Sequence, residues 1–129
     1  MFLFFKKVIR YIKIYGIYFT WFKLAGRLRL RFRFLRPRYR RNILDVGVIG
    51  CGHFAFSTLG YSLSSFYSTR FVDCYDINLL AQQSFANFYR IQNPSTSVKD
   101  LLSNDRVRYV YIPANHASHT DYAIQALQA

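Results

Sequence analysis

The sequence contains no glutamate, and its six acidic residues are all aspartate. Glycoside hydrolysis depends on a pair of suitably placed carboxylates, so this class of enzyme is disfavoured. Cysteine is also scarce. Cys51 and Cys74 are too few for a disulfide framework, and their spacing fits no zinc-binding pattern. We therefore expect no metal site, and two small thiols of this kind are typical of a reduced, cytoplasmic compartment.

Long apolar runs are missing as well. In the first third of the chain, the longest uncharged run extends only from Ile14 to Phe22. A membrane-spanning helix needs roughly 20 apolar residues. The sequence therefore predicts no transmembrane span.

Positive charge is concentrated at one end of the chain. Residues 1–42 carry 13 lysines and arginines and no acidic residue, whereas residues 43–129 carry five bases and six aspartates. The formal net charge of +12 thus belongs to the first segment. We divide the chain into a basic arm with a linker, residues 1–42, and a nearly neutral globular domain, residues 43–129.

The arm has the pattern of an amphipathic helix. Between Phe2 and Ile14 the bases fall on one side of a helix, and apolar residues fill the rest. Gly16 is expected to interrupt this helix before a second apolar and aromatic run, Ile17 to Leu24. From Arg27 to Phe34, arginine alternates with leucine or phenylalanine, and this period of two predicts an extended segment.

Three roles for the arm stay open. It could lie on the inner face of an anionic membrane, with its basic residues on the headgroups and its aromatic residues at the boundary of the acyl chains. It could equally be a packing or oligomerisation extension, and no oligomeric state is predicted. Nucleic-acid binding ranks third, because 12 of the 25 aromatic residues lie in the arm and no nucleic-acid-binding signature is present.

The globular domain opens with a glycine-rich turn between a strand and a helix. Residues 43–49 predict a buried strand, and Gly50-Cys51-Gly52-His53-Phe54-Ala55 follows directly, before a helix over 54–65. Gly50 permits a tight turn, Gly52 lets a pyrophosphate approach the backbone, and Ala55 lets the helix pack on the strand. The helix N-terminus then offers free amides to the phosphates.

A second strand supplies an acid. Residues 70–75 predict a strand that ends at Asp76, where a dinucleotide-binding fold places a carboxylate on the adenosine ribose. No arginine follows to recruit a 2′-phosphate, so NAD is favoured and NADP is the weaker alternative. Asp76 could also cap the next helix, for which Asn78 is an equally good candidate. Asp73 is the rival acid, but it lies in the middle of the strand.

The remaining elements alternate in type. We predict a helix over 78–90, a short helix over 98–102 capped by Ser95 or Ser97, a strand over 107–112, a loop over 113–119 and a helix over 120–128. This alternation predicts an α/β fold, a partial doubly wound parallel sheet of the Rossmann type, preceded by the helical basic arm.

Residues 43–129 resemble the N-terminal nucleotide-binding domain of the Gfo/Idh/MocA family, named after glucose–fructose oxidoreductase and inositol dehydrogenase. The stretches that carry the likeness are VGVIGCGHFA, CYDIN, DLLSNDRVRYVYI and IPANHASHTDYAIQALQA. Members usually have proline at the position of Asn115. The resemblance implies that the pyrophosphate and ribose are held by Gly50, Gly52, His53, Phe54, Ala55 and Asp76. It also implies that Ala114, Asn115 and His119 lie along the nicotinamide side of the cofactor.

The resemblance also bears on catalysis. The family's catalytic lysine and its substrate domain come after the helix that ends at Ala129. We therefore expect a fragment or a truncated product that binds a nicotinamide dinucleotide and holds no catalytic residue. By the same resemblance, the substrate of the complete enzyme would be a sugar, a cyclitol or a nucleotide-sugar.

Overall fold

A three-stranded parallel sheet forms the centre of the molecule. The computed structural model describes residues 2–29, 44–67 and 69–129. Strands β1 (Leu44–Ile49), β2 (Thr69–Tyr75) and β3 (Tyr109–Tyr111) lie in the order β2-β1-β3. Val46, Val48 and Ile49 are buried, as expected of a strand covered on both faces. The predicted α/β class and the parallel sheet are confirmed.

The basic arm is helical. Helix α1 extends from Phe2 to Leu28 and is broken at Gly16, which has φ 80° and ψ 165°. This left-handed φ favours glycine, so the break falls where the sequence predicted it. The extended segment predicted from Arg27 is wrong at its start, because Arg27 and Leu28 continue the helix. Residues 30–34, which complete that prediction, lie outside the described part of the chain.

The second half of α1 belongs to the hydrophobic core of the domain. Phe22 and Ala25 are buried in one cluster with Phe56 and Phe88. Helical spacing brings residues 22 and 25 to the same side of α1, so this packing favours a helix that continues through residue 28. The alternation of arginine and apolar residues from Arg27 onward describes the sequence alone, and the packing of Phe22 and Ala25 keeps residues 27 and 28 helical.

Helices cover both faces of the sheet. After β1, a π-helical segment (Phe54–Leu59) leads into α2 (Gly60–Phe66), and α3 (Leu79–Tyr89) follows β2. Together with α1 they cover one face of the sheet and bury the aromatic side chains of the core there, among them Phe56, Phe85 and Phe88. The short helix α4 (Val98–Leu102) and α5 (His116–Gln128) lie on the other face, around Ile49 and Leu101. Helices on both faces are the mark of a doubly wound sheet.

The π-helical turn combines its own wide hydrogen bond with a second bond from a side chain of α3. The Gly60 N–H donates to the Ala55 carbonyl, five residues earlier. The buried Tyr89 hydroxyl donates to the Phe56 carbonyl at 2.6 Å. The predicted helix over 54–65 is therefore present, but its first part is wound more loosely than an α-helix.

Two predicted boundaries need correction. The last helix begins at His116 rather than Thr120, because the Asn115 side chain accepts a hydrogen bond from the Ser118 N–H and caps it there. Asparagine at this position therefore starts the helix early and shortens the predicted loop. Strand β3 spans only Tyr109–Tyr111, since it pairs with β1 over those residues alone. No helix within the described ranges is long and apolar enough to cross a membrane.

Candidate functional site

The glycine-rich turn lies where the carboxyl ends of all three strands meet. Gly50 follows β1 with φ 106°, and its N–H donates to the Tyr75 carbonyl at the end of β2 at 2.8 Å. A Cβ on Gly50 would lie 2.9 Å from the Ala114 Cα, in the loop after β3. Because the strand order reverses at β1, this point is the crevice in which open α/β sheets bind ligands.

Gly52 borders open space. A Cβ built on this residue would meet no atom within 4 Å. The helix that follows has no side-chain cap, since His53 at its N-cap makes no capping hydrogen bond. The backbone amides of residues 52–55 are the first donors of that helix, which an α-helix leaves without intrahelical partners. The start of this helix is partly or fully exposed at residues 52–54, so its first backbone amides lie beside a side-chain-free gap, an arrangement that suits an anionic ligand.

Asp76 stands at the end of β2, directly beside this turn. Its Oδ2 accepts the Cys51 N–H at 2.6 Å, and its Oδ1 accepts the Asn78 N–H at 2.7 Å. Each carboxylate oxygen has a second lone pair, so the group can still accept hydrogen bonds from a ligand. Asn78, and not Asp76, caps α3, because the Asn78 side chain accepts from the N–H groups of Leu80 and Ala81.

The rival acid, Asp73, has a structural role. Its side chain is buried and accepts hydrogen bonds from Ser95 and from the Asn104 amide, which tie the segment after α3 to β2. It therefore faces away from the glycine-rich turn. Of the two acids, Asp76 is the one whose carboxylate contacts the turn.

Comparison with known proteins decides the family. The model of the Gfo/Idh/MocA oxidoreductase family, described as an NAD-binding Rossmann fold, matches residues 44–129. The chain belongs to this family. The matched range begins at β1 and contains the glycine-rich turn and Asp76.

A relative supports the same assignment. Oxidoreductase P35 of Formosa agariphila is 31% identical over 84 residues. Those residues make up 65% of this chain and 26% of the relative, so the matched stretch spans about a quarter of that relative's length. No solved structure matches the chain significantly.

The structure brings some, but not all, of the sequence-predicted residues to the crevice of this Gfo/Idh/MocA domain. The backbone of Ala114 lies against Gly50, so the loop after β3 closes one side. Ala55 is buried beneath the helix start, where its small side chain permits packing. Phe54 is 60% exposed. Asn115 caps α5, and His119 is an exposed residue inside that helix, not one that precedes it.

The arm reaches the same turn, which the sequence did not predict. The Arg29 guanidinium donates to the Cys51 carbonyl at 3.1 Å and lies 6.0 Å from the centroid of the Phe56 ring. The period-two pattern predicts an extended segment at Arg29 and so gives no indication of this contact. The arginine-rich stretch at the end of the arm is the only sequence feature that points to a contact of this kind.

The basic residues of the arm affect the protonation of His53. Partial burial, followed by the nearby charges of Lys23 and Arg27, lowers the pKa of the His53 imidazole. A hydrogen bond with the Gly26 backbone acts in the opposite direction. At neutral pH His53 is therefore a neutral side chain between the glycine-rich turn and the cations of α1.

The cysteines lie under the turn but take no part in its surface. Cys51 and Cys74 are free and fully buried. The neighbouring Cys74 thiol, together with burial, raises the pKa of the Cys51 thiol. Cys51 is thus a buried, protonated side chain, and its burial agrees with the small apolar filler that the sequence predicts.

Proposed function

We propose that this domain binds NAD and serves as the cofactor-binding unit of an oxidoreductase that acts on a sugar, a cyclitol or a nucleotide-sugar. The observation that carries the proposal is the 2.6 Å hydrogen bond between the Cys51 N–H and the Asp76 carboxylate. This bond holds the ribose acid against the glycine-rich turn, so one dinucleotide can contact both.

The residues at the crevice fit such a cofactor. The open space at Gly52 admits a pyrophosphate to the backbone, and the amides of residues 52–55 donate to it. His53 and Phe54 are exposed at the start of the helix and border the phosphates. Gly50 and Ala55 act indirectly, since the first shapes the turn and the second seats the helix. When bound, the nicotinamide accepts or donates a hydride.

Asp76 also supports NAD as the preferred cofactor. An ionised carboxylate accepts hydrogen bonds from ribose hydroxyls and repels a 2′-phosphate. The residues that follow it are Ile77, which is 78% exposed, and Asn78, whose side chain caps α3. Arg29, the cation that contacts the turn, is directed to the Cys51 carbonyl. None of these groups offers a 2′-phosphate a partner that outweighs Asp76.

The loop after β3 supplies the other end of the site. Ala114 lies beside Gly50, and Asn115 and His119 follow at the start of α5. We assign these three residues to the nicotinamide side, as the family membership suggests. The substrate class rests on the family alone, because the match covers about a quarter of the relative's length. The cytoplasm is the compartment we assign, and the two free cysteines support it.

Calorimetric titration of the full chain with NAD, NADH, NADP and NADPH tests the proposal. We expect saturable binding of NAD and NADH and weaker binding of both phosphorylated forms. Asp76→Ser should weaken NAD binding, whereas Asp105→Ser, a change at an exposed acid outside the crevice, should not. A folded sample, verified by circular dichroism, that binds none of the four dinucleotides would refute the assignment.

A further inference from the structure

The break at Gly16 folds the two halves of α1 toward each other. The Lys23 Nζ lies 5.9 Å from the centroid of the Tyr11 ring. In a straight helix, residues 12 positions apart would be separated by about 18 Å along the axis. Between the two halves lies a cleft of about 530 Å³, and His53 of the glycine-rich turn is among its lining residues.

The cleft carries four cations on a wall that is otherwise largely apolar. Lys7 and Arg10 line it from the first half of α1, and Lys23 and Arg27 line it from the second half. No aspartate lines it, and the ion pair found in the described structure, Arg70 with Asp45, lies on the strands. Four positive charges without a carboxylate among the lining groups form a site for an anion.

The surroundings of the cleft indicate which anion fits. Outside the cleft lining, the first half of α1 exposes four large apolar side chains that are 37–75% accessible: Leu3, Phe5, Ile9 and Ile12. A soluble phosphate ester would leave this surface in water. Exposed apolar side chains beside basic residues on one helix are typical of a segment that binds a membrane surface.

We propose that this cleft binds the phosphate headgroup of an anionic lipid, with the apolar side chains of the first half of α1 inserted among the acyl chains. The occupant is thus an anionic membrane surface. The lysines and arginines neutralise the lipid phosphate, and the aliphatic and aromatic side chains leave water. The inference does not rest on NAD binding, since it uses α1 and its cleft only.

Vesicle flotation of the full chain tests the proposal. The protein should float with vesicles of phosphatidylcholine and phosphatidylglycerol and should stay at the bottom with phosphatidylcholine alone. Each basic residue near an anionic surface contributes about 1 kcal/mol, so the double variant Lys23→Gln with Arg27→Gln should partition roughly thirty-fold more weakly. Lys7→Gln with Arg10→Gln, two exposed positions outside the core, should do the same and keeps the test valid if the first variant fails to fold.

The matched control removes the same charge elsewhere. Arg106 and Arg108 are exposed before β3, at the edge of the sheet opposite the glycine-rich turn. Arg106→Gln with Arg108→Gln should float as the unchanged protein does. An equal loss in this control would show that net charge, and not the cleft, drives binding, and would overturn the proposal. So would failure of the unchanged protein to float, or cleft-dependent binding of duplex DNA or inorganic phosphate in a protein that ignores the vesicles.

Discussion

Gly50 and Gly52 are two residues apart but should respond oppositely to the same substitution. Gly50 has φ 106°, and a Cβ there would lie 2.9 Å from the backbone N and Cα of Ala114. Alanine at such a φ costs roughly 1–2 kcal/mol in backbone strain, and an overpacked methyl group adds typically 1–3 kcal/mol. We therefore expect Gly50→Ala to lower the free energy of unfolding by roughly 2–5 kcal/mol, a large part of the stability of a small domain.

Gly52→Ala should spare the fold and impair the site. Its Cβ would enter open space, so the methyl group meets no protein atom within 4 Å. The smaller entropy of the unfolded chain should then leave stability equal or raise it by roughly 0.4–1 kcal/mol. The methyl group would occupy the gap that we assign to the pyrophosphate. A clash worth about 1–3 kcal/mol corresponds to NAD binding that is weaker by roughly 5-fold to 160-fold.

Two measurements separate the variants. Urea unfolding can be followed through Trp21, the one tryptophan in the sequence, which packs partly buried against the core. Calorimetric titration with NAD gives the affinity of each folded variant. Unchanged stability of Gly50→Ala would refute the role given to the close contact with Ala114. Normal NAD affinity of Gly52→Ala would refute the placement of the pyrophosphate.

Three further predictions concern other residues. Asp76→Ser should narrow the difference in affinity between NAD and NADP, as measured by parallel titrations, because the repulsion of the 2′-phosphate is removed. Asp73→Ala should destabilise the domain by about 3 kcal/mol, seen in urea unfolding, because the partly buried donors of Ser95 and Asn104 lose their acceptor. By NMR, His53 should titrate below its ordinary pKa of 6.5, and Lys23→Gln should raise the midpoint. The unfolded chain takes up this proton near pH 6.5, whereas the folded chain takes it up only at a lower pH. The free energy of unfolding that neutral His53 contributes is therefore lost as the pH falls from about 6.5 to the lowered pKa.

The sheet and its binding turn could be predicted because local sequence determines them. A run of buried β-branched residues followed by Gly50, Cys51 and Gly52 leaves few alternatives to a strand and a tight turn. The position of Asp76 follows from the end of β2. Parallel strands bring their carboxyl ends to one edge, so its proximity to the turn required only the correct topology.

Helix α5 begins four residues earlier than the sequence predicts. The sequence pattern predicts a loop from Pro113 to His119, although Asn115 is a good capping residue. The cap moves His116 and His119 onto the helix surface. Two helix starts were open to the chain, and only the observed hydrogen bond from the Ser118 N–H distinguishes them.

The packing of the arm was beyond sequence analysis for a different reason. A boundary drawn at residue 42 follows the change in charge, and charge describes the surface of a segment. The core is shared by residues that touch in space, and Phe22 and Ala25 of the arm share it with Phe56. Arg29 joins the arm to the turn by its bond to the Cys51 carbonyl. The second half of α1 is therefore anchored beside the cofactor crevice, so a lipid bound in the cleft would hold that crevice close to the membrane surface.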